Sequence, residues 1–365
     1  MTNWKIYKLG DVCSRLRSGK CISASEVSSC GKFAVIGGNG VRGYADKSNF
    51  NGQCVVVGRQ GAYCGNVRYL DGEFYMTEHA VVVVGNELAD THFLAYLLST
   101  MHLGQLSAQS AQPGLSVQTL SKLEITLPSL EDQRKIAGIL SAIDDKIENN
   151  RRINTNLESQ AQALFEEWFI NNIAQATEYN KVALTDIANY LNGLAMQKFR
   201  PKDDKKGIPV LKIKELGQGM CDSSSDICSQ SIDSKYIVND GDIIFSWSGT
   251  LLVDIWCGGI CGLNQHLFKV TSDKYPKWFV YYWTKYHLAK FIRIAKDKAV
   301  TMGHIKRGDL ESSEVLVPDS LLLEKYDNIM APIFNAIISN RIENRNLATL
   351  RDTLLPKLMN EEIKL

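Results

Sequence analysis

The sequence predicts an α+β chain in which two duplicated globular α/β domains are separated by two long helices that pair as an antiparallel coiled coil. Three observations carry this expectation. A helical pattern is written twice, 190 residues apart, and the segments ahead of each copy repeat as well. The length, 365 residues, exceeds one compact core and suits two domains plus connecting helices.

Residues 1–128 make the first domain. Leu9-Gly10-Asp11-Val12 stands near its start, and NGQCVVVGRQG (51–61) reads as a turn, a short apolar strand and a polar glycine loop. TEHAVVVV places His79 before a second apolar strand, and HFLAYLLS (92–99) reads as an apolar helix. LEITLPSL (123–130) closes the domain with a strand and Pro128.

Residues 129–175 carry the first long helix. Ile136, Leu140, Ile143, Ile147, Leu157, Ala161, Leu164 and Trp168 fall on a stripe with alternating spacings of four and three, the heptad seam of a coiled coil. Asn150 and Asn154 occupy two positions of the same stripe. A buried Asn on such a seam costs stability but pins register, because it is satisfied only opposite another polar group.

Residues 176–318 repeat the first domain. Leu184-Thr185-Asp186-Ile187, NDGDIIFSWSG (239–249), NQHLFKV with His266, KWFVYYWT (277–284) and SEVLVPDS (313–320) follow in the same order. Pro318 lies 190 positions after Pro128. Helices and strands are similar and the loops are not. A shared scaffold with divergent reading loops gives this pattern, and so does neutral drift of loops.

Residues 319–365 carry the second helix, with Tyr326, Met330, Ile333, Ile337, Asn340, Asn344, Leu347, Arg351, Leu354 and Leu358 on the matching stripe. Either orientation aligns the asparagines. The intervening stretch of about 150 residues is a whole domain in size and favours antiparallel rods with one globular domain at each end. Asn150 then meets Asn344, and Asn154 meets Asn340. Each helix has about 39 residues and spans about 58 Å. Pro332, absent from the first copy, is expected to remove one backbone hydrogen bond and to kink or restart the second helix.

Composition narrows the function. No run reaches 18 apolar residues and Met1-Thr2-Asn3-Trp4-Lys5 opens no signal peptide, so a cytoplasmic chain is expected. Nine cysteines without framework spacing point to reduced thiols; Cys257 and Cys261 lack the partners of a metal site. The net charge of +1 hides a basic region: residues 181–310 hold 19 Lys+Arg against 13 Asp+Glu. Lys285, Lys290, Arg293, Lys296, Lys298, Lys306 and Arg307 form a patch suited to phosphate backbones, or to a solvated helix face.

The candidate contacts lie in loops beside short strands. In the first domain they are Asn39, Arg42, Tyr44, Arg59, Gln60 and Tyr63. Gln109, Gln112 and Gln118 join them, able to meet base edges or simply to solvate their loop. In the second they are Trp247, Ser248, Thr250, Lys296, Lys298, Thr301, His304, Lys306 and Arg307. Arg, Asn and Gln make bidentate contacts to guanine or adenine. Tyr44 and Trp247 are the members best suited to packing instead.

Catalytic lookalikes fail on context. Gly38-Asn39-Gly40-Val41-Arg42-Gly43 matches GxGxxG but runs into a loop, without the helix start or the later acid of a dinucleotide site. There is no GxxxxGK[ST] run, no Asn-Pro-Pro-aromatic signature and no histidine in a metal or triad arrangement. The chain is expected to be no enzyme and to hold no metal.

Four segments resemble the specificity subunit of type I restriction–modification systems: LPSLEDQRKIAGIL (127–140), AQALFEEWF (161–169), TMGHIKRGDLESSEVLVP (301–318) and LRDTLLPKLMNEEI (350–363). They occur in the family order and the resemblance spans the chain. It departs at Asn360-Glu361-Glu362, where the family often has a Ser-Gly turn, and at Pro332. The resemblance implies that residues 1–128 and 176–318 are target-recognition domains, each reading half of a bipartite DNA site. The spacer helices, 129–175 and 319–365, would set the gap and dock two methyltransferase subunits. Restriction/translocase subunits would complete the complex. S-adenosylmethionine, ATP and Mg2+ would belong to those partners, none to this chain. Phe165, Trp168, Phe169, Leu354, Leu355 and Leu358 are the expected apolar dock. A specificity subunit of a related type II restriction–methylation enzyme would look much the same; a non-DNA scaffold fits the basic loop less well.

Overall fold

The computed structural model describes residues 4–107, 114–171, 179–202, 207–297, 303–360 and 362–363. The chain divides into two compact units, Met1–Asp145 with Thr349–Leu365, and Lys146–Ala348.

The first unit holds β1 (Lys5–Lys8), β2 (Cys13–Ser18), β3 (Phe33–Gly37), β4 (Gly40–Ala45), β5 (Phe50–Gly58), β6 (Val67–Met76), β7 (Ala80–Gly85), α1 (Thr91–Thr100), α2 (Val117–Ser121) and β8 (Glu124–Leu127), then the start of α3 (Leu130–Glu166). Six strands form one sheet in the order β2-β7-β5-β6-β3-β4, while β1 pairs with β8 apart from it. Val55, Val56 and Val57 of β5, and Val81, Val82 and Val83 of β7, are all buried. Central strands covered on both faces read as continuous apolar runs, as these do. Helix α1 starts at Asp90, whose carboxylate accepts from the Phe93 N–H at 2.9 Å. Helix α3 starts at Ser129, whose Oγ accepts from the Asp132 N–H at 3.2 Å. One turn in, the buried Gln133 donates to the Leu88 and Pro128 carbonyls and accepts from the Asp90 N–H. A fully buried carboxamide is tolerated here because its bonds tie the helix to the domain.

The second unit takes the rest of α3, a wide π-helical turn over Glu167–Asn171, and then a repeat of the first topology. It holds β9 (Asn180–Ala183), α4 (Leu184–Ile187), β10 (Asn189–Asn192), β11 (Gly207–Leu211), α5 (Ile213–Gln218), β12 (Ile227–Ser229), β13 (Ile237–Val238), β14 (Ile243–Ser246) and β15 (Leu252–Ile255). There follow β16 (Cys261–Leu263), β17 (Leu267–Thr271), α6 (Lys277–Asp297), α7 (Arg307–Glu311), β18 (Glu314–Val317) and α8 (Ser320–Met359). The closing ladder recurs residue for residue: Ile125 faces Tyr7 in the first unit, Val315 faces Val182 in the second.

The two units differ where two strands break. In the first, β6 runs ten residues and pairs antiparallel with β5 and parallel with β3. In the second the same path is cut into β15 and β16 by Trp256-Cys257-Gly258-Gly259-Ile260. The buried Trp256 donates its Nε1–H to the Gly259 carbonyl at 2.6 Å, and Gly259 takes φ +91°. That left-handed backbone favours glycine. The path of β5 is likewise cut, into β13 and β14, so one six-stranded sheet becomes two of four strands, β10-β17-β14-β15 and β12-β11-β16-β13.

Within the second unit, α3 and α8 run antiparallel. Asn150 donates to Asn344 Oδ1 at 3.0 Å and Glu343 at 2.6 Å, and accepts from Lys146 at 3.0 Å. Asn340 donates to Asn154 Oδ1 at 2.8 Å, while Asn154 donates to the Ile337 carbonyl at 3.1 Å. The partner number falls as the α3 number rises, which is the antiparallel sense. Arg341 binds Glu158 and Asp254, and Arg345 grips Asp240 through both terminal nitrogens. In the first unit Arg351 of α8 pairs with Asp144 of α3, which also accepts from the Tyr96 hydroxyl.

Two details depart from expectation. The seam holds from Ile136 to Ala161, but beyond that the buried residues are Phe165 and Phe169, not Leu164 and Trp168. Likewise Phe334 is buried and Ile333 only partly so. The aromatic core of the second unit takes up these phenylalanine rings and overrides strict heptad spacing. Pro332 does not restart α8: the helix is continuous from Ser320 to Met359, with Pro332 exposed.

Candidate functional site

The loop after β5 in the first unit and the loop after β14 in the second are held by the same backbone framework. Arg59 donates its N–H to the His79 carbonyl at 3.0 Å, and Leu115 donates to the Arg59 carbonyl at 2.8 Å. Gln60 bridges Gly114. In the second unit Trp247 donates to the His266 carbonyl at 3.3 Å, and Ile305 donates to the Trp247 carbonyl at 3.1 Å. Ser248 bridges His304. Each loop is thus pinned between the head of one strand (β7 or β17) and the segment leading into a short helix (α2 or α7). Rigid backbone under variable side chains is the usual construction of a recognition surface.

The nominated side chains fall into distinct groups. Asn39 sits exposed in the two-residue turn between β3 and β4, which Gly40 closes at φ +107°. Asn39 and Tyr63 line one cleft of about 600 Å³ together with Arg68, His102 and Gln105. Arg42 and Tyr44 are exposed on β4, the edge strand of the sheet. Arg59 is half-buried; Gln60 and Gln118 are exposed. In the second unit Ser248 is buried, its Oγ 2.9 Å from His266 Nδ1. Trp247 is half-buried, donates Nε1–H to Asn192 at 2.9 Å, and packs beside His266, Phe268 and His304. Its ring is a scaffold element, while Thr250 nearby is exposed. Lys296, Lys306 and Arg307 are exposed, with Arg307 3.5 Å from Glu311. Lys290 instead donates to the Ser312 carbonyl and Ser313, and so has a structural role. Gln109, Gln112, Lys298 and Thr301 lie outside the described residues.

Four residues at the heads of β7 and β17 were not nominated: Glu78, His79, Gln265 and His266. The only sequence signal was that TEHA and NQHL occupy matching places in the repeat.

Three of the six residues of the expected apolar dock, Phe165, Phe169 and Leu358, are taken up by cores. Phe165 and Phe169 are fully buried, packed on Tyr282, Phe279 and Trp283 inside the second unit. Four positions apart, the two rings share one face of the helix. Trp168 stacks on Tyr326 with ring centroids 4.0 Å apart. Leu358 is buried against the core that holds Ile136 and Leu140, with Leu354 and Leu355 partly buried on it. Phe165, Phe169 and Leu358 serve their own cores, while Trp168, Leu354 and Leu355 keep part of their surface exposed.

All nine cysteines are free thiols. Among the described residues there is no group of His, Cys, Asp and Glu able to hold a metal, and no helix long and apolar enough to cross a membrane.

The duplicated framework is shared with known proteins. The family described as type I restriction modification DNA specificity domain matches residues 1–159 and again residues 177–351. The MjaIX specificity subunit of Methanocaldococcus jannaschii is 30% identical over 75% of this chain and 69% of its own length. The HindI specificity subunit of Haemophilus influenzae is 22% identical over 82% of this chain and 84% of its own. The crystal structure of a type I restriction–modification S subunit from M. genitalium superposes with a TM-score of 0.69, at 18% identity, over 98% of this chain and 96% of that one. That likeness gives the fold; the family match over both repeats gives the membership. The chain belongs to the type I restriction–modification DNA specificity subunits.

Proposed function

We propose that this chain reads DNA for a type I restriction–modification complex, with each half of the repeat addressing one half of a bipartite site. The observation that carries the reading is the duplicated loop framework: Arg59 on His79 and Leu115 in one unit, Trp247 on His266 and Ile305 in the other. Two copies of one scaffold with different exposed side chains suit two different half-sites. Residues 1–128 and 176–318 are the target-recognition domains on this reading, and 129–175 and 319–365 are the spacers.

The exposed Lys296, Lys306 and Arg307 supply phosphate contacts that set affinity. Asn39, Arg42, Arg59, Gln60 and Tyr63, with Thr250 and His304, supply contacts at base edges. The chain does no chemistry of its own. Adenine methylation, with the target base flipped out of the duplex, falls to two methyltransferase subunits carrying S-adenosylmethionine. ATP- and Mg2+-dependent translocation and cleavage fall to restriction subunits. With the aromatic residues at the end of α3 used internally, docking of those partners falls to other exposed apolar positions on the helices, such as Ile139, Ile153, Ile329 and Leu350.

Selection from a randomised duplex library by the full-length chain with its methyltransferase partner tests the reading. Two short conserved blocks at a fixed gap are expected. A single contiguous motif, or none, would contradict it.

A further inference from the structure

We infer that the residue immediately before the histidine at the head of β7 and β17, Glu78 in the first unit and Gln265 in the second, reads an amino-bearing base edge. This rests on the DNA-reading function proposed above and names a pair of base-contacting positions within it.

Only six buried side-chain nitrogen or oxygen atoms among the described residues have no hydrogen-bond partner, and Glu78 Oε2 and Gln265 Oε1 are two of them. They occupy the same repeat position in otherwise different local sequences, Thr77-Glu78-His79-Ala80 and Asn264-Gln265-His266-Leu267. The following histidine in each case accepts the backbone bond that fixes the reading loop. Glu78 uses its other oxygen, Oε1, at 3.0 Å from His79 Nε2. Gln265 places Nε2 3.4 Å from His266 Nε2. An unpaired acceptor withdrawn from water carries an uncompensated desolvation cost. Its recurrence at one place in both repeats points to a ligand donor, not to two independent packing faults.

The surroundings identify the ligand. Gln265 and His266 line a cleft of about 530 Å³ with Gln197, Arg200, Lys212 and Asn264. The cleft carries donors and acceptors among apolar side chains such as Met196, Val210 and Ile227, and the exposed Arg200 stands at it to meet a phosphate. Glu78 settles which part of the duplex is met. A carboxylate only accepts, so it is repelled by phosphate and matched by an exocyclic amino group: N4 of cytosine or N6 of adenine. A carboxamide offers one donor and one acceptor to adenine N7 and N6. The first unit therefore selects cytosine or adenine at one position of its half-site, and the second selects adenine at one position of its own.

The test is library selection with the full-length chain and its methyltransferase partner, comparing the native protein with Glu78→Gln and Gln265→Glu. Both substitutions are nearly isosteric, and thermal unfolding of each variant checks that the fold is kept. Gln265→Glu is expected to move the preference at one position of one half-site from adenine towards cytosine. A base at that position should lose roughly ten- to hundredfold in discrimination, with the other half-site unchanged. Glu78→Gln should act in the same way in the opposite half-site. A folded variant with an unchanged motif would overturn the inference while leaving the DNA-reading function in place. So would a uniform loss of binding to all sequences, which marks a structural role. Failure of the native protein to select any sequence would overturn the function itself, and this inference with it.

Discussion

Arg59 and Lys306 both lie in the nominated loops, yet the structure gives them different tasks. Arg59 is half-buried on a backbone pinned from both sides, so its side chain leaves from a fixed point, while Lys306 is exposed at the start of a short helix. Replacing Arg59 with Ala should cost about 1–3 kcal/mol and relax a single base position in one half-site. Replacing Lys306 with Ala should weaken binding to every sequence alike and reduce the salt slope by about one. Titrations on matched and mismatched duplexes across a salt series separate the two outcomes; identical behaviour would remove Arg59 from the reading set. The sequence disclosed such residue types and their loops, because Gly-flanked polar runs beside apolar strands are local signals. It did not disclose Glu78 or Gln265, whose distinction is an unpaired atom created by tertiary packing.

Two histidines tie stability to pH. Burial holds His287 below the ordinary histidine range, against a smaller opposite pull from its bond to the Glu314 carbonyl at 2.9 Å. His92, stacked between Tyr69 and Tyr96, is also lowered, chiefly by burial. For a group whose folded pKa lies below its unfolded value of about 6.5, the unfolded chain binds more protons in the interval between them. The stability is therefore complete above about pH 6.5 and is lost progressively as pH falls towards the folded value. Denaturant unfolding at pH 7.5 and 5.5 should show a lower midpoint at 5.5, and His287→Gln should flatten that dependence.

At the scale of elements, the asparagine pairs are the most exact success of the sequence and the seam ends its clearest failure. Heptad spacing placed the four asparagines on the seam, and the domain-sized connection, which favours antiparallel rods, set Asn150 opposite Asn344 and Asn154 opposite Asn340. The switch from Leu164 and Trp168 to Phe165 and Phe169 escaped it, since that choice is made by contacts with the aromatic rings of α6. No periodicity records those causes. The break of one strand into β15 and β16 was likewise illegible until the burial of Trp256 was seen. The pairing predicts a coupled response. Asn154→Leu strands the Asn340 carboxamide and should cost about 1–3 kcal/mol, whereas Asn154→Leu with Asn340→Leu should recover most of that loss. Chemical denaturation of these two variants and of Asn340→Leu measures it; a double variant as unstable as the sum of the singles would show that the pair does not act as a unit.

For the whole molecule, duplication is the organising fact. Length, repeat spacing and the two closing prolines made two domains and two helices visible from sequence, because duplication leaves the same trace in every element. The split of each long helix between two compact units was not visible, since contacts decide it. The central claim is that two readers built on one scaffold address two half-sites whose separation the helices fix. Matched insertions of seven residues, one between Ile147 and Glu148 and one between Asn346 and Leu347, keep the heptad phase and lengthen each helix by about 10 Å. At about 3.4 Å per base pair, the conserved blocks selected from a randomised duplex library should stay the same while the gap grows by about three base pairs. A gap that stays at its original length, with both blocks still selected at native affinity, would contradict the account.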